Sequence, residues 1–148
     1  MIPSVRRFTV AFVMCVGLLL VFAGPAAAGG RPYTIQLTGA AEVTAAGVPN
    51  QGDPDGSGTA QLKINPGQQE VCWAIHVSGV DPIIAAHIHV APTTTTGPVV
   101  IPLNPYMSGC THVDRALALA LITNPDAYYV NVHNMTYPSG AMRGQLTR

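Results

Sequence analysis

Apolar and polar residues alternate in short runs along most of the chain after residue 30. The clearest runs are YTIQLT (33–38), TAQLKIN (59–65), VCWAIHV (71–77), AHIHV (86–90), YYVNVHN (128–134) and AMRGQL (141–146). A period of two with one apolar side is typical of strands in a sheet that buries one face. Turn-forming segments rich in Gly, Pro, Asn and Asp separate the runs. The pattern therefore predicts an all-β domain, a Greek-key β-sandwich or barrel.

One segment departs from this alternation. DRALALALITNP, residues 114–125, is rich in Ala and Leu, which favour helices. Asp114 is a candidate N-cap, and Asn124 followed by Pro125 can end the helix. The sequence thus predicts one short helix within the β domain.

The N-terminal segment has the order of a secretory signal peptide. Arg6 and Arg7 precede an apolar run over residues 8–23, and small residues follow at Ala26 and Ala28. We expect cleavage to remove residues 1–28 and to leave residues 29–148 as a single domain. The apolar run is also about as long as a short membrane span, so an uncleaved anchor is the alternative.

The charge of the chain narrows its possible partners. The whole chain has seven basic and seven acidic residues, and loss of residues 1–28 removes two arginines, which leaves five basic residues and a net charge of −2. No basic patch is present, so nucleic acid is not an expected partner. No second apolar run is long enough to span a bilayer, so we expect a secreted or cell-envelope protein without a membrane segment after cleavage.

Two cysteines, Cys72 and Cys110, remain after residue 28. An even number of cysteines in an exported chain favours a disulfide bond, here one that closes a loop of nearly forty residues. The alternative is a metal-thiolate pair, which needs reduced thiols and therefore suits an oxidising compartment poorly.

Three histidines form the candidate metal site. In a strand, His87 and His89 of AHIHV share one face, opposite the apolar residues. His133 is opposite Val130 and Val132 in the same way, so all three imidazoles are predicted on the side away from the core. Three neutral imidazoles with an open position suit copper or zinc. The alternative is that they are polar residues on a solvent-exposed face, hydrogen-bonded to loop backbone.

Two further histidines are less informative. His76 lies on the strand face opposite Trp73 and is expected at the surface, whereas Trp73 is expected to anchor the core. His112 is two residues from Cys110 and is a candidate for a remote fourth metal ligand.

Several of these motifs together resemble a known family. AAHIHV, GPVVIPL and YYVNVHNMTYPSGAMRGQL are similar to the CHRD domain, and the resemblance extends over residues 33–147. It implies an immunoglobulin-like β-sandwich similar to Cu/Zn superoxide dismutase, and it implies no established activity. The chain departs from the family pattern beside the histidines, where Ala91, Pro92 and four threonines follow the first pair and Asn134 follows the last histidine.

The dismutase likeness implies a specific ligand set. His87 and His89 match the His-x-His copper ligands, His133 matches a later copper ligand, and Arg143 is placed like an arginine that guides the anion. The likeness ends at the zinc site. Between His89 and His133 the candidate zinc ligands are only His112, Asp114 and Asp126. The resemblance therefore implies at most a single-copper site.

Two classes of function follow. The first is an exported, non-catalytic β-sandwich with a structural or interaction role, since no Ser-His-Asp set can be picked out of the sequence. The second is a single-copper-binding protein, dismutase-like in redox chemistry or used for copper storage, based on His87, His89 and His133.

Overall fold

The computed structural model describes residues 29–148, and the predicted signal peptide, residues 1–28, lies outside them. In this part of the chain eight strands form one antiparallel sheet in the spatial order β5-β4-β7-β8-β1-β2-β3-β6. The strands are β1 (Arg31–Thr38), β2 (Ser57–Asn65), β3 (Glu70–Ser78), β4 (Ile83–Val90), β5 (Val99–Pro102), β6 (Ser108–His112), β7 (Tyr128–Asn134) and β8 (Met142–Gln145).

The sheet curls around one core. β1 pairs with β2 over its whole length, but it meets β8 at the single registered pair Thr38 and Arg143. The apolar side of each alternating strand is buried in a common hydrophobic cluster to which both halves of the sheet contribute. Its fully buried members include Leu37, Ile64, Ile88, Ile101, Leu121 and Leu146. The prediction of an all-β fold with one short helix is confirmed.

The helix α1 runs over Arg115–Thr123 and buries Ala118 and Leu121, which are three residues apart on one face. It ends at Asn124 and Pro125, as predicted. Asp114 is at the N-cap position, as predicted, but its exposed side chain makes no capping hydrogen bond. Among the described residues, no helix is long and apolar enough to cross a bilayer.

The sequence pattern did not predict β6. Its sequence, SGCTH, has no apolar side, and its residues alternate between exposed and half-buried. The strand pairs with β3, and this pairing places Cys110 directly opposite Cys72. The two cysteines form the predicted disulfide bond. The metal-thiolate alternative is therefore excluded in this structure.

Trp73 anchors the core on β3. Only 4% of its surface is exposed, and its neighbours in phase, Val71 and Ile75, are also buried. The indole Nε1 donates a hydrogen bond of 3.0 Å to the carbonyl oxygen of Pro105, which satisfies the one polar atom of the side chain. The prediction that Trp73 is a core residue is confirmed.

We expect Cys110→Ser to lower the free energy of unfolding by about 3 kcal/mol, because the disulfide restricts the unfolded chain across 38 residues of sequence separation. Urea unfolding of the parent and the variant measures this loss. Cys72→Ser should give the same loss, since either change removes the same bond. Equal stability of the parent before and after reduction would contradict the expectation.

Candidate metal centre

The three histidines of the candidate site lie on the neighbouring strands β4 and β7. In the register of β4 with β7, His87 pairs with Asn131, His89 with Tyr129, and Ala85 with His133. The alternate pairs on the same two strands, such as Ile88 with Val130, face the core. All three histidines therefore lie on the outer face of the sheet, as their sequence phase predicted.

The three imidazoles converge. His87 Nδ1 is 3.1 Å from His133 Nε2. One ligand nitrogen from each ring lies within 4.8 Å of the other two, a separation from which one ion could contact all three. The ring centroids are 5.0–6.5 Å apart. The structure thus brings together the three residues that the sequence singled out.

Backbone carbonyl groups orient two of these rings. His89 Nδ1 is 2.9 Å from the carbonyl oxygen of Gly97, and His133 Nδ1 is 3.0 Å from that of Pro138. Because a carbonyl oxygen can only accept, each Nδ1 carries the hydrogen, and each neutral ring keeps its lone pair on Nε2. Imidazoles that bind metals are commonly held in this way through their other nitrogen.

Nε2 of His89 is the most informative atom of the cluster. It is buried, and it has no hydrogen-bond partner among the described residues. His133 Nε2 instead accepts a hydrogen bond, because the hydrogen in the 3.1 Å contact must come from His87 Nδ1. A metal bound to His87 Nδ1 and His133 Nε2 would replace the hydrogen between them. The proton of neutral His87 would then reside on its Nε2.

The surroundings favour the neutral form of all three rings. Burial lowers the pKa of His87, and the neighbouring His133 and His89 lower it further. Burial also lowers the pKa of His89 and of His133, although their hydrogen bonds to backbone carbonyl groups oppose the effect. Since a protonated imidazole cannot bind a metal, these shifts keep the nitrogen lone pairs available at neutral pH.

The outer face is less exposed than the alternation predicted. β7 is buried on both faces, and the three histidines are half-buried. Loops over residues 42–56, 91–98 and 135–141, here called the covering loops, supply the partners of this face. The hydrogen bonds to loop backbone that the alternative interpretation required are present. The unpartnered Nε2 of His89 is what that interpretation leaves unexplained.

Arg143 is a structural residue of this face. Only 1% of its surface is exposed. Its guanidinium donates hydrogen bonds to the carbonyl oxygens of Pro92 (2.6 Å) and Thr95 (2.9 Å) and to Oε1 of Gln145 (3.2 Å). The role that the dismutase likeness implied, guidance of an anion, is wrong for this structure because the side chain is buried and its guanidinium donates to two carbonyl groups of the covering loops.

Tyr129 connects Arg143 to the histidine cluster. Its ring stacks on the His89 ring with a centroid separation of 4.8 Å and an interplanar angle of 10°. The guanidinium carbon of Arg143 is 3.5 Å from the Tyr129 ring centroid, a cation–π contact. The Tyr129 hydroxyl accepts a hydrogen bond from the Gly97 backbone, whose carbonyl orients His89. This chain of contacts fixes the position of His89.

The sequence interpretation missed a buried polar pair beside the histidines. Asn131 Nδ2 donates a hydrogen bond to Glu42 Oε1. The pKa of this carboxyl is raised to about 7, because burial outweighs the lowering effects of Arg143 and of the Asn131 hydrogen bond. Gly140 packs on the pair: a Cβ there would lie 2.7 Å from Glu42 and Asn131 atoms. Asn131 shares the phase of His133 in YYVNVHN, and that was the available signal.

The other candidate ligands lie outside the cluster. His112 is exposed on β6 and pairs with Glu70, and β6 is at the opposite end of the strand order from β5 and β4. Its predicted role as a fourth ligand is wrong, because it is not among the grouped ligand atoms. His76 is exposed on β3, as predicted. The second group of potential ligands among the described residues is Glu70 with Cys72 and Cys110, whose sulfur atoms are in the disulfide.

Comparison with known proteins gives one match. The family model of the CHRD domain matches residues 33–146, which is more than half of the chain and includes all three histidines. No curated protein and no solved structure matches the chain significantly. The match extends over β1 to β8, so the chain belongs to the CHRD domain family.

Proposed function

We propose that this CHRD-domain protein is exported and binds a single copper ion through His87, His89 and His133. The observation that carries the proposal is Nε2 of His89, which is buried without a hydrogen-bond partner among the described residues. A buried polar nitrogen without a partner costs free energy, and most such atoms in proteins are satisfied. A metal ion shared with the other two imidazoles would satisfy this atom.

The donor set favours copper. All three ligands are imidazoles, which suit copper and zinc, and Cu(II) binds a given nitrogen site more tightly than the other divalent first-row metals. Bound copper would supply one-electron redox chemistry. The chain itself holds the rings in place through the carbonyl groups of Gly97 and Pro138. Since Arg143 is engaged with the covering loops, the arrangement supports copper binding or storage better than dismutase catalysis.

Export is proposed on two grounds. The disulfide between Cys72 and Cys110 is typical of oxidising compartments, and the N-terminal segment has the order of a signal peptide. Intact-mass analysis of secreted material tests the export step. A mass that begins near Gly29 supports it, and a mass that retains residues 1–28 contradicts it.

The copper proposal is tested by metal content. The protein is produced in copper-supplemented medium, purified without a metal-affinity column, and its copper is measured by mass spectrometry. We expect about one copper per chain, in line with one three-ligand cluster. The variant with His87, His89 and His133 all changed to alanine should lose it, and the matched control His112→Ala should keep it. Equal copper in the triple variant and the parent would refute the proposal.

The affinity for copper should depend on pH in a particular way. Burial lowers the pKa of the three imidazoles below the ordinary value of about 6.5, so they stay neutral as the pH falls to that value. We therefore expect the Cu(II) dissociation constant to change little between pH 8 and about 6.5 and to rise at lower pH, where protons compete with the metal. Competition titrations over this range measure it. A loss of affinity that begins well above pH 6.5 would contradict the neutral, buried state of the rings.

A further inference from the structure

A cleft of about 690 Å³ opens beside the metal centre. His89, Tyr129 and Asn131 line it from the sheet, and segments of the covering loops line it from outside. His87 and His133 are not among its lining residues. The cleft is therefore a separate feature that shares one wall, the His89 side chain, with the histidine cluster. Its volume is in the range of pockets that bind small molecules.

Two buried acceptor groups line this cleft. Asn131 is 2% exposed, and its Oδ1 is buried without a hydrogen-bond partner among the described residues. Glu42 is 3% exposed and accepts the hydrogen bond from the other side of the same amide. Buried carbonyl oxygens of amide side chains are nearly always paired, so an unpaired one in a cleft wall points to a ligand that donates a hydrogen bond.

The charges around the cleft favour a neutral ligand. Arg143 interacts electrostatically with Glu42, so its positive guanidinium offsets the negative charge that this carboxyl group carries when it is ionised. A cation would meet no excess negative charge. An anion would not meet Arg143, which is not among the lining residues and donates hydrogen bonds to Pro92, Thr95 and Gln145. What the site offers is an acceptor at Asn131 and a carboxyl group beside it.

Further polar groups line the cleft around these acceptors. Hydroxyl-bearing residues from the covering loops line it, and they are Thr44, Thr96, Thr136, Tyr137 and Ser139. Thr136 and Ser139 are exposed, whereas Tyr137 is half-buried and presents an aromatic ring. Hydroxyl groups both donate and accept, so they can bind further hydroxyl groups of a ligand. The apolar parts of the lining, Val43, Ala45 and Pro138, would contact its carbon skeleton.

We propose that this cleft binds a neutral small molecule with adjacent hydroxyl groups, as found in sugars and catechols. One hydroxyl donates to Asn131 Oδ1 and its neighbour to the Glu42 carboxyl group, and the ring lies against the His89 wall. The proposal goes beyond copper binding and does not require it, because the acceptors belong to the protein alone. With copper present, the ligand would be held directly beside a copper ligand.

The test uses the metal-free protein, stripped with a chelator and dialysed, so that a catechol cannot bind copper directly. Cellobiose and 4-methylcatechol are titrated separately and followed by amide chemical shifts in two-dimensional NMR. We expect one of them to bind with a dissociation constant of about 1 mM or lower and to shift the Asn131 and Gly140 signals. Cellobiose binding assigns a sugar site, and 4-methylcatechol binding assigns a catechol site. The control compound 1,2-dimethoxybenzene, which has no hydroxyl donors, should not bind.

Three variants make the test specific. Asn131→Leu should weaken binding at least about 10-fold, since it removes the unpaired acceptor. Ser139→Leu, a change at an exposed position of the lining, should weaken binding because the larger side chain obstructs the cleft. This variant replaces Asn131→Leu in the test if Asn131→Leu does not fold. His87→Ala should lose copper and keep the binding of the hydroxyl compound, so failure of one proposal is distinguishable from failure of the other. Lack of binding of both probes to the parent, or unchanged affinity in Asn131→Leu and Ser139→Leu, would overturn the inference.

Discussion

Arg143→Leu is expected to lower the free energy of unfolding by about 3–5 kcal/mol, the usual cost of removing one partner from a buried charged network. The variant leaves the carbonyl oxygens of Pro92 and Thr95 without their donor, and it removes the positive charge near Glu42. It also removes the cation–π contact with Tyr129. Urea unfolding followed by the fluorescence of Trp73 measures the change.

Two matched variants sharpen this expectation. Arg143→Lys should recover only part of the loss, because an ammonium group cannot reproduce the planar fork that reaches both loop carbonyls. Arg148→Leu, at an exposed arginine that donates to the Thr123 carbonyl, should cost less than about 1 kcal/mol. A similar small cost for Arg143→Leu would show that the buried network does not hold the covering loops.

His89→Ala is expected to weaken Cu(II) binding at least about 100-fold. Loss of a group that only orients a metal ligand typically costs 10–100-fold in affinity, and loss of the ligand itself should cost at least the upper end of that range. His89 also lacks any other hydrogen-bond partner for its Nε2 among the described residues. Competition with a chromophoric copper chelator gives the two dissociation constants.

The control is His76→Ala. His76 is exposed on β3 and belongs to no group of potential ligands among the described residues. His76→Ala should leave the Cu(II) dissociation constant within about 2-fold of the parent value, because it is a surface substitution away from the site. If His89→Ala and His76→Ala bind copper with the same affinity, His89 does not act as a specific ligand.

The strands could be predicted wherever burial is one-sided. YTIQLT alternates because Tyr33, Ile35 and Leu37 face the core, and a period of two indicates such a strand. The sequence of β6 lacks this alternation of apolar and polar residues. Its residues have no buried apolar side, and it is a strand because β3 pairs with it and the disulfide joins Cys110 to Cys72. Such pairing depends on a distant segment and is not encoded in the local pattern.

The part of the candidate site that lies on strands could be predicted from the sequence, and the contacts made by loops could not. The spacing of His87 and His89 places both on one face of a strand, and the phase of His133 places it on the matching face of another. Glu42 could not be found in this way, since it is 89 residues from Asn131 in sequence and reaches it through a loop. The alternation in AMRGQL places Arg143 opposite Met142 and Leu146, and in the structure it lies on the outer face. Its burial was not predicted, because the covering loops determine it.

The proposed copper site is tested most directly by electron paramagnetic resonance of residues 29–148 with one equivalent of Cu(II). Our account predicts a single tetragonal signal with splitting from imidazole nitrogens, because the three ligand nitrogens converge within 4.8 Å. The variant in which His87, His89 and His133 are all alanine should lose this signal and give that of unbound or weakly bound copper. The same spectrum and the same affinity in the triple variant would show that copper does not bind at these histidines.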